Sequence, residues 1–245
     1  CGAPEFFAAG AKLVGLPGDG GKLTPDAVAD ALALMPRGVV KQVQPMALSL
    51  TQATECGTVY TRDELADLSR AAHAAGLSVH MDGARFANAL AALGCSPAEM
   101  SWKAGVDVLS FGATKNGALA CEAVIFFDKG KAQDFAYRRM RAGQLLSKSR
   151  YLGAQMLAYL EGGLWLENAK RANALAQRLV KGLTATGAVR IPNPVQANEV
   201  FAVMPRKMFD RLQAGGAKFY DWMPDSLGDG ISADEVFARF VLSFA

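Results

Sequence analysis

Two polar residues follow the ends of apolar, strand-like segments and carry groups that can take part in chemistry. Asp82 closes the segment LSVHMD (77–82), and Lys115 follows VDVLSFGAT (106–114). In open α/β sheets, ligands bind beyond the carboxyl ends of the strands, so both side chains are candidates for a site. The amine of a lysine can form an imine with a carbonyl group. A loop lysine considered alone more often only reaches into water.

An aspartate and a lysine at neighbouring strand ends of one sheet suggest pyridoxal phosphate. This cofactor is held by a lysine as a Schiff base and needs an acidic partner for its pyridine nitrogen. The acid keeps that nitrogen protonated, so that the ring can accept the electrons released at the substrate's Cα. The D-G-x-R tetrapeptide also has a structural reading when it is taken alone. In that reading, Asp82 caps the helix predicted for 84–93, and Arg85 pairs with Asp82 or with solvent.

A sheet must position these residues, and segments typical of strand and helix alternate over the first half of the chain. This alternation predicts an α/β fold with a largely parallel sheet. Strands are predicted within the segments 11–16, 40–54, 77–82, 106–115 and 122–128. Helices are predicted to begin after Thr24, with Pro25 in the first turn, and after Thr61, with Glu64 completing a capping box.

The pattern changes from about Gln133. A long helical stretch follows, interrupted at Gly162 and Gly163, and then come short strand-like segments around a helix. These last segments are EVFAVMP, RKMFDRLQAGG, AKFYDW and ARFVLSF. We therefore predict a large domain over 1–155 that binds the cofactor, and a small α+β domain over 156–245.

Composition excludes several classes of protein. The 245 residues carry a net charge of only +3, without a basic stripe interleaved with aromatic residues, so nucleic-acid binding has little support. The longest apolar runs are far shorter than the ~20 residues that a membrane helix needs. Four cysteines form no CxxC pair and only two histidines are present, so we expect no metal site and reduced thiols in the cytoplasm.

Two motifs together resemble a known family. HMDGARFANAL followed by DVLSFGATKNG resembles the threonine aldolase branch of the fold-type-I pyridoxal-phosphate enzymes, the beta-eliminating lyase and threonine aldolase family. The resemblance implies an aminotransferase-like α/β fold, with a mostly parallel sheet of the seven-stranded type flanked by helices. It also implies that the chain lacks the family's N-terminal segment, which carries the phosphate-binding glycine-rich loop and a ring-stacking histidine, and its extreme C-terminus.

The resemblance assigns roles to four charged residues. Lys115 holds the cofactor covalently, and Asp82 pairs with the pyridine nitrogen. Arg85 is expected to bind at the cofactor site and to help hold the α-carboxylate of the substrate. Arg239, in the last strand-like segment, matches a family arginine that grips the same carboxylate. The planar guanidinium suits such a contact, although a strand-edge arginine facing water is the simpler reading without the family match.

The resemblance also implies binding roles for four further residues. Thr114 and Ser110 are expected to bind the cofactor phosphate through their hydroxyl groups, although Ser110 equally fits a serine that packs in the strand. Thr54 is expected to contact substituents of the ring. Glu55 stands where some family members have a histidine next to the substrate hydroxyl. Glu55 is thus a substrate-site residue that acts as a base, acts through a water molecule, or is only structural.

The resemblance implies retro-aldol cleavage of L-threonine or L-allo-threonine, and of related β-hydroxy-α-amino acids, to glycine and an aldehyde. A small-molecule amino acid is then the substrate, and a cytoplasmic homodimer or homotetramer is expected. Fold does not fix function, so two alternatives stay open. One is a different pyridoxal-phosphate reaction, β-elimination or transamination. The other is an inactive, truncated piece that keeps the sheet and binds no cofactor.

Overall fold

A four-stranded sheet forms the centre of the first part of the protein. In the computed structural model, which describes residues 2–222 and 230–245, its strands lie side by side in chain order. They are β1 (Ala47–Thr51), β2 (Ser78–Gly83), β3 (Val108–Gly112) and β4 (Glu122–Phe126). The first three are parallel and β4 is antiparallel to β3. The predicted α/β class with a mostly parallel sheet is confirmed, and the described residues supply four of the strands of the expected seven-stranded type.

The helices begin largely where the sequence predicts. They are α1 (Ala3–Phe7), α2 (Pro25–Ala33), α3 (Arg62–Ala74), α4 (Phe86–Leu93), α5 (Phe135–Arg141), α6 (Arg150–Leu160), α7 (Leu164–Thr184) and α8 (Arg206–Ala214). Thr24 caps α2, and Thr61 with Glu64 forms the predicted capping box of α3. No helix in the two described stretches combines the length and the apolar character that crossing a membrane requires.

One predicted strand is wrong. Residues 11–16 form no strand, and β1 begins only at Ala47. A strand exists only where a neighbour accepts and donates backbone hydrogen bonds, and segment 11–16 has no such partner among the described residues. Leu13 and Val14 are consequently 54% and 48% exposed. Pro45, just before β1, cannot donate to a ladder, which agrees with the late start of that strand.

A second, smaller sheet follows α7. It is antiparallel and consists of β5 (Glu199–Pro205), β6 (Tyr220–Asp221) and β7 (Glu235–Val241), in the order β5-β7-β6. The core changes along α7, because Ala169 packs in the core of the first sheet and Ala176 in that of the second. The predicted α+β arrangement is therefore present. The domain boundary near residue 155 stays a prediction, and it falls inside α6.

Asp107, just before β3, joins three elements at the end of the sheet opposite to Asp82. Its Oδ2 accepts a hydrogen bond from the Val79 amide at 2.7 Å and lies 2.9 Å from His73 Nε2. Its Oδ1 accepts from Lys131 Nζ at 2.8 Å. Burial alone would raise the pKa of Asp107, but these hydrogen bonds lower it to about 2. The ionised form of Asp107 therefore stabilises the fold.

Replacing Asp107 by asparagine is expected to lower the free energy of unfolding at pH 7 by about 1–2 kcal/mol. Because the folded-state pKa is depressed, this stabilisation is present above the unfolded-state pKa of 3.8 and is lost as the pH falls toward about 2. Urea unfolding at pH 7, 4 and 2.5 measures the effect. The exposed Asp30 supplies the control variant Asp30→Asn. A constant difference between Asp107→Asn and wild type down to the lowest pH would contradict the account.

Candidate active site

The ends of β2 and β3 bring the predicted site residues to one edge of the sheet. Asp82 pairs in register with Ser110, and Gly83 with Phe111. Asp82 is half-buried, and its Oδ1 accepts a hydrogen bond from the Ala84 amide at 2.9 Å. Oδ2 has no protein partner in the described part of the chain. Asp82 therefore fixes the turn after its strand and keeps one carboxylate oxygen for another group.

Glycine is required where these two strand ends meet. A Cβ atom on Gly83 would lie 2.6 Å from Leu109 Cδ1 and 2.8 Å from the Ser110 carbonyl oxygen. A Cβ atom on Gly112 would lie 2.8 Å from Ala84 Cα. Neither glycine has a positive φ angle at this point, so the close approach of the backbones is the reason for both. The D-G dipeptide thus lets the Asp82 turn pack against β3.

His80 ties the three parallel strands together below Asp82. Its Nδ1 lies 2.9 Å from Ser49 Oγ, and its Nε2 lies 2.9 Å from Ser110 Oγ. Burial lowers the pKa of His80, against the opposing effect of the Asp82 charge, so the ring is neutral near pH 7. The Ser110 hydroxyl already has a partner inside the protein. Its predicted contact with a phosphate group would have to compete with His80.

The backbone at Lys115 is anchored by the next residue, Asn116, whereas the Lys115 amine has no partner in the described residues. Lys115 lies in a short 3₁₀ turn after β3 and is exposed, and within residues 2–222 and 230–245 its amine makes no hydrogen bond or ion pair. The next residue, Asn116, is only 4% exposed. Asn116 Nδ2 donates to Tyr159 Oη at 2.7 Å and to the Trp165 carbonyl at 2.8 Å, and Asn168 Nδ2 donates to the Asn116 carbonyl at 2.9 Å. Sequence reasoning missed Asn116, although its place beside Lys115 could have suggested an anchor.

The hydroxyl groups of two threonines predicted to contact the cofactor form hydrogen bonds with other protein groups. Thr114 Oγ1 accepts from the Cys121 amide at 3.0 Å and lies 3.3 Å from the Cys121 carbonyl, which closes the Lys115 loop. Thr54 is 1% exposed, and its Oγ1 lies 2.7 Å from Thr58 Oγ1 and 3.0 Å from the Gly20 carbonyl. The Thr54 hydroxyl is thus enclosed by these two partners. The contact of Thr54 with substituents of the ring stays a prediction.

The structure brings Arg85 and Arg239 together on one buried carboxylate, that of Glu199. Arg85 Nη2 lies 2.9 Å from Glu199 Oε1, and Arg239 Nε donates to the same oxygen at 3.1 Å. Arg85 is only 5% exposed, so it does not face solvent, and its ion pairs in the described residues are with Glu199 and Glu55 and not with Asp82. The Arg239 guanidinium also lies over the Trp222 ring, 4.3 Å from its centroid.

Glu199 was missed by sequence reasoning, and Glu55 lies beside it at the surface. Burial raises the pKa of Glu199, while Arg85 and Arg239 lower it and the Glu55 charge raises it further. Glu55 Oε1 is 3.7 Å from Arg85 Nη1, and its side chain is 61% exposed. The signal for Glu199 was a charged residue that opens the otherwise apolar strand EVFAVM. Nothing local to that strand identifies its partners.

Comparison with known proteins places this chain among characterised relatives. The beta-eliminating lyase family matches residues 1–207. A low specificity L-threonine aldolase from Pseudomonas sp. is 46% identical over 223 residues, which cover 91% of this chain and 64% of that protein. One of the same description from Pseudomonas aeruginosa is 47% identical over 244 residues, covering 100% of this chain and 67% of that protein. The solved structure of a threonine aldolase from Leishmania major superposes with a TM-score of 0.86 at 28% identity, covering 97% of this chain and 67% of that one.

These similarities define the class of protein. The architecture is that of the fold-type-I pyridoxal-phosphate enzymes, as the resemblance implied. The chain belongs to the beta-eliminating lyase family. It spans about two thirds of the length of the curated relatives it matches.

Proposed function

We propose that this protein is a pyridoxal-phosphate-dependent aldolase that cleaves L-threonine and L-allo-threonine, and related β-hydroxy-α-amino acids, to glycine and an aldehyde. The observation that carries the proposal is the Lys115 amine, which has no partner among the described residues and lies at the same edge of the sheet as Asp82. The relatives described as low specificity L-threonine aldolase support the choice of reaction. An inactive fragment is less well supported, because the lysine, the aspartate and both arginines are all present.

The residues fit the cofactor in two of its three main contacts. The unpartnered Lys115 amine suits the covalent link, and the unpartnered oxygen of Asp82 suits a protonated pyridine nitrogen. When bound, the cofactor supplies the sink for the electron pair released as the Cα–Cβ bond breaks. The phosphate contact has less support, because the hydroxyl groups of Ser110 and Thr114 are already hydrogen-bonded inside the protein.

The side chains of this protein bind the cofactor and orient the substrate. Asp82 stabilises positive charge at the ring nitrogen, since an ionised carboxylate accepts a hydrogen bond more strongly from a cationic donor. Arg85 and Arg239 hold the α-carboxylate of the amino acid and so fix the orientation of its Cα–Cβ bond. His80, neutral and bonded on both ring nitrogens, supports the strand that carries Asp82 and takes no proton itself.

A base must remove the proton from the β-hydroxyl group. Glu55 is the candidate for this role that the sequence suggested. Its carboxylate faces Arg85 Nη1 at 3.7 Å and is largely exposed. At this exposed position the Glu55 carboxylate is surrounded by water and not by a closed protein pocket. We therefore assign Glu55 to the charge around the carboxylate subsite, with any part in proton transfer running through water.

The products of threonine turnover test the proposal. Purified protein with added pyridoxal phosphate is expected to convert L-threonine and L-allo-threonine to equal amounts of glycine and acetaldehyde. Chromatography of amino acids and an aldehyde assay measure both. Ammonia with 2-oxobutanoate would instead indicate β-elimination, and a keto acid without free ammonia would indicate transamination. Either of these results would overturn the aldolase assignment and keep the cofactor.

We also propose that the protein acts in the cytoplasm as a homodimer or homotetramer. Several large apolar side chains along α6 and the segment before it are exposed, which supports a covered surface. These are Leu145, Leu146, Tyr151, Leu157 and Leu160. Sedimentation equilibrium measures the number of copies.

A further inference from the structure

Glu199 is an acidic residue in the core, at the start of an otherwise apolar strand. It opens β5, and its side chain is completely buried, whereas carboxylates in proteins are almost never fully buried unless they are paired. Its partners are the two arginines to which the proposed function gives the substrate carboxylate. Glu199 lies diagonally across from Arg239 on adjacent strands, because Glu199 pairs in register with Val241 and Arg239 with Phe201.

Glu199 does not provide acceptors for all the hydrogen-bond donors of the two arginines. Both guanidinium groups approach the same oxygen, Oε1, while Oε2 is buried with no partner among the described residues. Arg85 Nε is likewise buried without a partner in that part of the chain. Arg85 Nη1 has only Glu55, at 3.7 Å, beyond hydrogen-bonding distance. Among the described residues, Arg85 Nη1 is therefore the donor left for a second carboxylate, since Nε is enclosed by protein.

Charge explains why one buried acid is needed. Two guanidinium cations repel each other, and an anion placed between them offsets that repulsion. The Glu199 carboxylate provides this anion and leaves one uncompensated positive charge in the buried group. One substrate carboxylate neutralises that charge. The exposed Glu55 changes this balance less, because water screens its charge.

Resting on the proposed function, we infer that Glu199 is a positioning residue for substrate binding. It holds Arg85 and Arg239 together as one preformed subsite for the α-carboxylate of an amino acid, with Trp222 supporting Arg239 from the side. Glu199 touches neither substrate nor cofactor and acts through the arginines. The same subsite serves any α-amino acid, because it recognises the carboxylate and not the side chain.

A buried ion pair that only stabilises the fold would behave differently. Removing one partner of such a pair lowers the free energy of unfolding, and no effect on ligand binding is expected. A positioning role predicts weaker binding of the amino acid in the ground state and the transition state alike. Loss of such uniform binding raises KM and leaves kcat nearly unchanged.

The variant Glu199→Gln tests this inference because it removes the charge and keeps the size of the side chain. We expect the KM for L-threonine to rise by about 10-fold or more, with kcat within about 3-fold of wild type. The shorter acid of Glu199→Asp keeps the charge and is expected to restore part of the affinity. Glu235→Gln is the control, because Glu235 pairs with Arg190 at 2.8 Å in the same sheet, away from Arg85 and Arg239. Circular dichroism and thermal unfolding check that each variant is folded.

Binding without turnover separates this inference from the proposed function. The Kd of radiolabelled glycine, measured by equilibrium dialysis on the cofactor-loaded protein, is expected to rise by about 10-fold in Glu199→Gln and to stay unchanged in Glu235→Gln. This result would hold even if product analysis showed elimination or transamination. Folded Glu199→Gln with wild-type Kd and KM would overturn the inference. If Glu199→Gln does not fold, Glu199→Asp decides, since the inference requires its Kd to exceed the wild-type value.

Discussion

Replacement of Lys115 by alanine is expected to reduce threonine cleavage by a factor on the order of 1,000 or more. The lysine amine is the group that holds the cofactor covalently, and no other amine lies in the turn formed by Thr114–Asn116. The fold itself should be unaffected. Lys115 is exposed and its amine has no partner in the described residues, so the free energy of unfolding is expected to change by less than about 0.5 kcal/mol.

Steady-state glycine production with added pyridoxal phosphate measures this effect. Lys129→Ala is the matched control, because Lys129 is another exposed lysine that follows a strand of the same sheet. The control variant should keep wild-type activity. Activity of Lys115→Ala comparable to that of Lys129→Ala would remove Lys115 from the mechanism.

Replacement of Asp82 by asparagine is expected to lower kcat by a factor on the order of 100 to 1,000. The amide keeps an oxygen that can accept from the Ala84 amide, as Asp82 Oδ1 does at 2.9 Å, so the turn after β2 is preserved. What the variant loses is the negative charge that stabilises a protonated ring nitrogen, and the ring then accepts electrons less readily. The KM for the amino acid should change little, because Arg85 and Arg239 remain.

Kinetics and cofactor content must be measured together for Asp82→Asn. If the variant binds pyridoxal phosphate and has a low kcat, the charge of Asp82 acts on the reaction. Full activity with an uncharged side chain at position 82 would show that the ring nitrogen has another partner. Asp63→Asn, at an exposed position in the first turn of α3, is a control for the loss of one surface carboxylate.

Local patterns in the sequence predicted the elements that carry the site. The apolar runs before Asp82 and Lys115 become β2 and β3, and the rule that ligands gather at strand ends placed the two residues at one edge of the sheet. Thr24 and Thr61 were predictable as caps because their hydrogen bonds reach only three residues along the chain. Periodicity and capping are local properties, so a single sequence records them.

Contacts between distant segments were not predictable in this way. Glu199 meets Arg85 only because α7 and the second sheet fold back onto the β2–α4 turn, and no pattern around position 199 encodes that approach. The wrong strand at 11–16 has the same cause, since its apolar residues lack a partner strand in the described structure. The partners of the Thr54 hydroxyl, Thr58 and Gly20, were not predicted either, because sequence alone does not bring them together.

Identification of the modified lysine tests the central claim most directly. The protein is incubated with pyridoxal phosphate, the covalent link is reduced with borohydride, and the digested peptides are analysed by mass spectrometry. The account predicts that the peptide containing Lys115 carries the phosphopyridoxyl group in stoichiometric amount, and that Lys115→Ala lacks it. Stoichiometric labelling of a different lysine, with Lys115 unmodified, would contradict the account.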